Sequence, residues 1–314
     1  MYEPVWMKPY FRSDSETPWG GDALKTLFDK DIPSSVTGES LEVSALPGRE
    51  SVAVGGHYDG WKLTDIWQDW GGEGEFPLLL KLLDARETLS VQVHPGDDYA
   101  REKEGKYGKT EAWLILSCHH GARLVYGLDK PDFDDVENAL HWVEVAPGQV
   151  YYIPHGCVHA IGSGIVLYEI QQPSDVTYRV WDWGRGRQLH LQQARDVARF
   201  DLPRTACAGA TGMVKGGSVT TYICDSHFEL SRLNVSGEMP LTGRLRLVTA
   251  ITPLSLSWNG GERDVPAGQT VLIPAQAEGV TLKGQGTAIC SSLPDRAALT
   301  DQLGDRVGLV TGDI

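Results

Sequence analysis

From Gly38 onward the apolar positions come in short runs separated by turn-forming residues, at 42–45, 51–54, 76–83, 89–93 and 110–117. Such runs, rich in Val, Ile and Leu and closed by Gly, Pro or Asp, predict strands. Helical spacing is rarer. Residues 22–28, 63–70 and 98–104 each predict a helix of about two turns. Leu191, Ala194 and Val197 share one helical face and predict a somewhat longer one over 190–198. The 36 glycines and 17 prolines supply the many turns that an all-β arrangement needs, so the chain is expected to be mainly β with a few short helices.

A weak repeat runs through this pattern. The segment Val145-Ala-Pro-Gly-Gln-Val-Tyr-Tyr-Ile-Pro154 is echoed 120 residues later by Val265-Pro-Ala-Gly-Gln-Thr-Val-Leu-Ile-Pro274. Each reads as a turn entering a strand that stops at a proline. Between the copies, around residues 205–217, the chain becomes small and loop-like. We therefore expect two related β units, 1–213 and 214–314. The first copy continues His155-Gly-Cys-Val-His159, whereas Gly279 stands at the second copy's counterpart of His159. Metal chemistry belongs to the first unit.

Charge narrows the partners. A formal net charge of −14 opposes a nucleic-acid partner, which is normally met by a basic face. No apolar stretch reaches the length of a membrane span, and residues 1–10 show neither a basic nor a long apolar leader, so a cytoplasmic location is expected. The five cysteines are scattered without a CxxC pair and read as free thiols.

Three segments supply candidate metal ligands. In Leu89-Ser-Val-Gln92-Val-His94-Pro95 the strand period sends Gln92 and His94 to one face, and in Gly108-Lys109-Thr-Glu111-Ala-Trp113 it co-orients Lys109, Glu111 and Trp113. The spacing Gly148-x5-Pro154-x-Gly156-x2-His159 resembles the second motif of cupin barrels, where the turn aims the histidine inward. A lone histidine before proline is more often an ordinary strand-end residue, and a lone glutamate a solvated one. The conjunction of His94, Glu111 and His159 outweighs those readings, because two histidines and a carboxylate hold a divalent metal and leave a position open. Gln92 is a poorer ligand and is read as orienting the site or a substrate. His119, His120, His141, His190 and His227 have no such support, and His155 is a neighbour of the motif. Lys81 interrupts the apolar run Phe76-Pro-Leu-Leu-Leu-Lys81-Leu-Leu, which calls for a partner if it is buried. Thr177, Arg179 and Trp181 alternate onto one strand face, with Glu169 upstream. A metal beside two lysines and an arginine suits a small phosphorylated anion.

At these residues the sequence resembles the type I phosphomannose isomerases, especially their short bacterial form. The resemblance runs in order through Met7-Lys-Pro-Tyr-Phe, Trp19-Gly-Gly, Gly38-Glu-Ser-Leu-Glu-Val-Ser, Pro77-Leu-Leu-Leu-Lys81, Gln92-Val-His94-Pro95, Gly108-Lys109-Thr-Glu111, His159-Ala-Ile-Gly and Glu169-Ile-Gln-Gln-x-Ser-Asp-x-Thr-Tyr-Arg179-Val-Trp-Asp. It implies two cupin-type (jelly-roll) β-barrels with a few short helices. It also implies one zinc per chain held by His94, Glu111 and His159, with Gln92 a fourth ligand in longer members. Arg179 falls on the family's catalytic arginine, and Lys81, Lys109, Glu169 and Asp175 on positions around the substrate. The implied reaction interconverts mannose 6-phosphate and fructose 6-phosphate by zinc-assisted proton transfer through a cis-enediol. Arg179 and Lys109 are expected to be catalytic and Lys81 and Glu169 to bind substrate, with Glu169 and Lys109 the contenders for the base. The large helical insertion of the long form is missing between the Glu111 and His159 segments. Three other readings stay open: an isomerase of another sugar phosphate such as glucose 6-phosphate, a cupin dioxygenase with iron, and a silent sugar-phosphate binder.

Overall fold

A computed structural model describes residues 2–241 and 243–312. Strands dominate, with six short α-helices among the described residues. The four expected helices form at Ala23–Phe28, Leu63–Asp69, Asp97–Glu104 and Leu191–Val197. Asp97–Glu104 shows why: Asp97 and Asp98 face the positive end of the helix, Arg101 and Lys103 the negative end, and Gly105 closes it in the left-handed region. Val136–Ala139 and Arg296–Leu303 are helices that the pattern did not reveal. No helix is long and apolar enough to cross a membrane.

The first part of the chain forms two antiparallel sheets. One runs Val150–Ile153, Glu111–Cys118, Ile165–Gln171, Leu79–Ala85, Thr37–Val43, Tyr10–Ser13; the other runs Tyr178–Trp181, Val91–Val93, His159–Ala160, Arg123–Leu128, Leu140–Glu144. Apolar side chains from the two meet in a shared core that includes Leu83, Trp113, Ile115, Tyr151 and Leu167 from the first sheet and Leu124 and Tyr126 from the second. This is the two-sheet layering expected of a jelly roll. Strand alternation then divides the first sheet's faces. Lys81 and Glu169 point to the inner side, while Leu80, Leu82, Tyr168 and Ile170 point outward and are buried against Leu247, Leu272 and Ile289 of a third, ten-stranded sheet. Each of those leucines contributes about 2 kcal/mol by leaving water.

The ten-stranded sheet holds the C-terminal strands and keeps a separate core on its far face, around Leu233, Val248, Leu256 and Val271. The two copies of the repeat adopt the same hydrogen bonding. Gly148 and Gly268 both take positive φ; the Gly148 amide donates to the Ile115 carbonyl as that of Gly268 does to Ala250. One pairing has no precursor in the local pattern: Val5–Lys8 joins the C-terminal sheet, with Val5 opposite Leu272.

Candidate metal centre

His94 follows the Val91–Val93 strand, and His159 opens a strand whose first residue pairs with Gln92. Glu111 opens its own strand on the opposite sheet. The three residues bridge the inter-sheet space, and their ligand atoms lie within 4.8 Å of one another. His159 Nε2 is 3.3 Å and His94 Nε2 3.6 Å from Glu111 carboxylate oxygens. Each imidazole is anchored through Nδ1, His94 to the Val176 carbonyl at 3.0 Å and His159 to the Cys157 carbonyl at 2.9 Å. With Nδ1–H donating to a carbonyl, Nε2 presents its lone pair inward. Burial drives both imidazoles well below their ordinary range, His159 to about 4, with the Lys109 charge adding to the effect on each. Both are neutral at pH 7, as metal ligation requires. Burial pushes Glu111 up to about 7 against the pull of Lys109. The Lys109 ammonium lies 2.8 Å from Glu111 Oε2 but out of hydrogen-bond alignment, so that buried oxygen has no hydrogen bond. Two neutral imidazoles and a buried carboxylate, with the Lys109 ammonium 3.2 Å from His94 Nε2 and 2.8 Å from Glu111 Oε2, fit a divalent metal with three protein ligands. Among the described residues this is the one such group.

The cleft above the trio has a volume of about 290 Å³. Neighbouring strands set Trp113, Glu169, Lys81 and Leu41 side by side. Lys81 is buried and finds the partner its sequence position called for, Glu169 Oε1 at 2.9 Å; Trp113 Nε1 donates to the other oxygen at 2.9 Å. Burial alone raises a carboxyl, but Lys81, Lys109 and these hydrogen bonds outweigh it, so Glu169 is held below the usual carboxylate range. Lys109 Nζ is 3.2 Å from His94 Nε2. Arg179 lies opposite Gln92 across the strands, and both line the cleft with Thr177 and Asp175. No carboxylate among the described residues is within ion-pair distance of Arg179; its Nη1 donates to the Gln188 carbonyl at 2.9 Å, and its buried Nε is unpaired.

The structure differs from the sequence reading in three ways. A register shift between Arg179 and Trp181 breaks the alternation, so Trp181 packs into the neighbouring apolar cluster instead of following Thr177 and Arg179 into the cleft. Where the sequence pointed to one arginine, Arg179, the cleft is also lined by Arg12, Arg49 and Arg187. Arg12 pairs with Glu39 at 2.7 Å and Arg49 with Glu16 at 3.2 Å, while Arg187 is held by both oxygens of buried Asp182. These came from segments where a single charge looks like any solvated residue. His190 is the third: its Nδ1 accepts the Arg179 amide at 3.0 Å and its own amide donates to the Arg179 carbonyl at 2.8 Å, clamping the backbone that presents the arginine. Asp175 is paired with Lys106 at 2.7 Å, and Glu229 in the C-terminal sheet with Arg244 at 2.7 Å.

Comparison with known proteins agrees with the geometry. The model of the type I phosphomannose isomerase catalytic domain matches residues 12–111. The mannose-6-phosphate isomerase ManA of Bacillus subtilis is 37% identical over 264 residues, which cover 76% of this chain and 82% of that protein. The mannose-6-phosphate isomerase of Streptococcus mutans is 35% identical over 262 residues, 77% of this chain and 82% of that one. The crystal structure of a mannose 6-phosphate isomerase from Bacillus subtilis superposes with a TM-score of 0.85 at 33% identity, covering 92% of this chain and 99% of that one.

Proposed function

The chain belongs to the type I phosphomannose isomerase family, and from that premise we propose that it interconverts mannose 6-phosphate and fructose 6-phosphate at the His94–Glu111–His159 centre, with zinc as the metal. The observation that carries the reading is the conjunction in one cleft of a metal-ligand trio with Lys81, Lys109 and Arg179. A redox cupin has no need of those cations.

The hard step is removing a proton beside a carbonyl, which leaves negative charge developing on oxygen. When bound, zinc supplies Lewis acidity that stabilises that charge. Arg179, with no carboxylate within ion-pair distance among the described residues, contributes a fixed positive charge toward the same oxygen or the phosphate. Lys109, beside Glu111 and His94, is the group we assign to moving the proton between C1 and C2, a role in which it must first give up its own proton and act as the neutral amine. Glu169 is a poorer base because both its oxygens are engaged by Lys81 and Trp113; we assign it, with Lys81, to orienting the sugar hydroxyls. Gln92 lines the cleft where it can orient substrate. We further assign catalysis to residues 1–213 and read 214–314 as a metal-free supporting unit, although Val5–Lys8 crosses between them.

A coupled assay tests the substrate. Mannose 6-phosphate should turn over with a kcat/KM far above that for glucose 6-phosphate, and unphosphorylated mannose should be inert. Equal or preferred use of glucose 6-phosphate would overturn the assignment.

A further inference from the structure

The internal repeat gives the metal cleft a counterpart in the C-terminal unit. Ile153 pairs with Glu111 as Ile273 pairs with Arg246, so Arg244 and Arg246 occupy the places of Lys109 and Glu111. On the next strand, Cys290 and Ser292 take the places of Glu169 and Gln171. Metal ligation is excluded there, since an arginine stands for the carboxylate and Gly279 for the second histidine. Beside Arg244, where residues 67–72 meet the C-terminal unit, lies a cavity of about 420 Å³, lined by Trp67, Arg244, Pro274, Gln276, Leu293 and Asp295 among others. That volume falls within the roughly 300–1,000 Å³ of small-molecule sites.

The lining has specific chemistry. Arg244 is fixed through Nη2 alone, which donates to Glu229 Oε2, Ser292 Oγ and the Leu293 carbonyl at 2.7, 2.8 and 2.7 Å. Its Nε and Nη1 have no partner among the described residues. Trp67 Nε1 is buried and also lacks a hydrogen-bond partner. Glu229 and Asp295 offset the arginine charge, so the site has no excess positive charge to attract a phosphate. The free Arg244 N–H groups, amide and carboxylate acceptors and the apolar surfaces of Trp67, Pro274 and Leu293 are complementary to a hydroxylated ring with apolar C–H faces.

We propose that this cavity is a second binding site, separate from the metal cleft, for an unphosphorylated hexose. The full-length protein should be titrated with mannose, glucose, galactose and fructose, followed by saturation-transfer NMR and tryptophan fluorescence. At least one of these sugars should bind saturably in the millimolar range, to wild type and Arg179→Ala alike. Trp67→Phe, which keeps an aromatic ring against Phe76, should weaken that binding by about tenfold, as should Arg244→Gln, by loss of a donor. Melting curves check that the variants are folded, and Gln276→Ala at the exposed rim serves if Arg244→Gln is not. Absence of saturable binding by all four sugars, or binding that survives in the folded cavity variants, would overturn the proposal. So would loss of binding in Arg179→Ala, which would assign the sugar to the metal cleft.

Discussion

Lys81 and Glu169 show how one pair of residues is set by its surroundings. Both are buried, on adjacent strands of a sheet whose other face is apolar, so neither charge is tolerable alone. Lys81→Met or Glu169→Gln should each lower unfolding stability by about 3–5 kcal/mol through the charge or acceptor left behind. The double variant should recover much of that loss; denaturant melts giving additive losses would refute the pairing as the cause. Arg179 is the opposite case, half-buried with one side-chain hydrogen bond to a backbone carbonyl. Arg179→Ala should therefore leave the melting temperature nearly unchanged while cutting kcat by about 10²-fold, the scale of losing one preorganised charge-stabilising donor. A near-normal kcat and kcat/KM would remove Arg179 from the chemistry.

Among the elements, the turn before His159 carries the heaviest geometric demand. Gly156 has φ +82°, and a Cβ there would sit 2.8 Å from the Val197 carbonyl oxygen. Its amide donates to the His94 carbonyl at 2.8 Å, so this turn also ties one histidine segment to the other. Gly156→Ala should cost about 1–3 kcal/mol in a denaturant titration and weaken metal retention, because strain at that residue is passed to both ligands. Stability and metal content equal to wild type would show that the turn relaxes without moving them. The turn that aims His159 inward was legible in the sequence, as were four helices within about two residues of their ends and the co-orientation of Lys109 and Glu111, because period and spacing are local signals; the contacts of Gly156 with Val197 and His94 are not local. Val136–Ala139 is a single turn, too short for a periodicity to register. The Arg12–Glu39 and Arg187–Asp182 pairs, and the entry of Val5–Lys8 into the last sheet, depend on chain ends meeting in space. A register shift at Arg179–Trp181 likewise leaves no mark on a two-residue alternation.

At the scale of the molecule, the repeat explains why two units so alike in hydrogen bonding differ in chemistry. The first keeps carboxylate and histidines inside; the second fills the equivalent interior with Val248, Val271 and Ile273 and closes one end with arginines. His227→Ala and Glu229→Ala should accordingly leave metal content and turnover near wild type, the latter at some cost in stability because Arg244 loses its carboxylate partner. Loss of metal in either variant would locate the centre between the units. Metal content measured alongside mannose 6-phosphate turnover tests whether this protein works as a zinc isomerase with its metal in the first unit. One zinc per chain is expected, with activity lost on chelation and restored by zinc, and neither zinc nor activity in His159→Ala. Full turnover by metal-free protein, or iron accompanied by oxygen uptake, would contradict it.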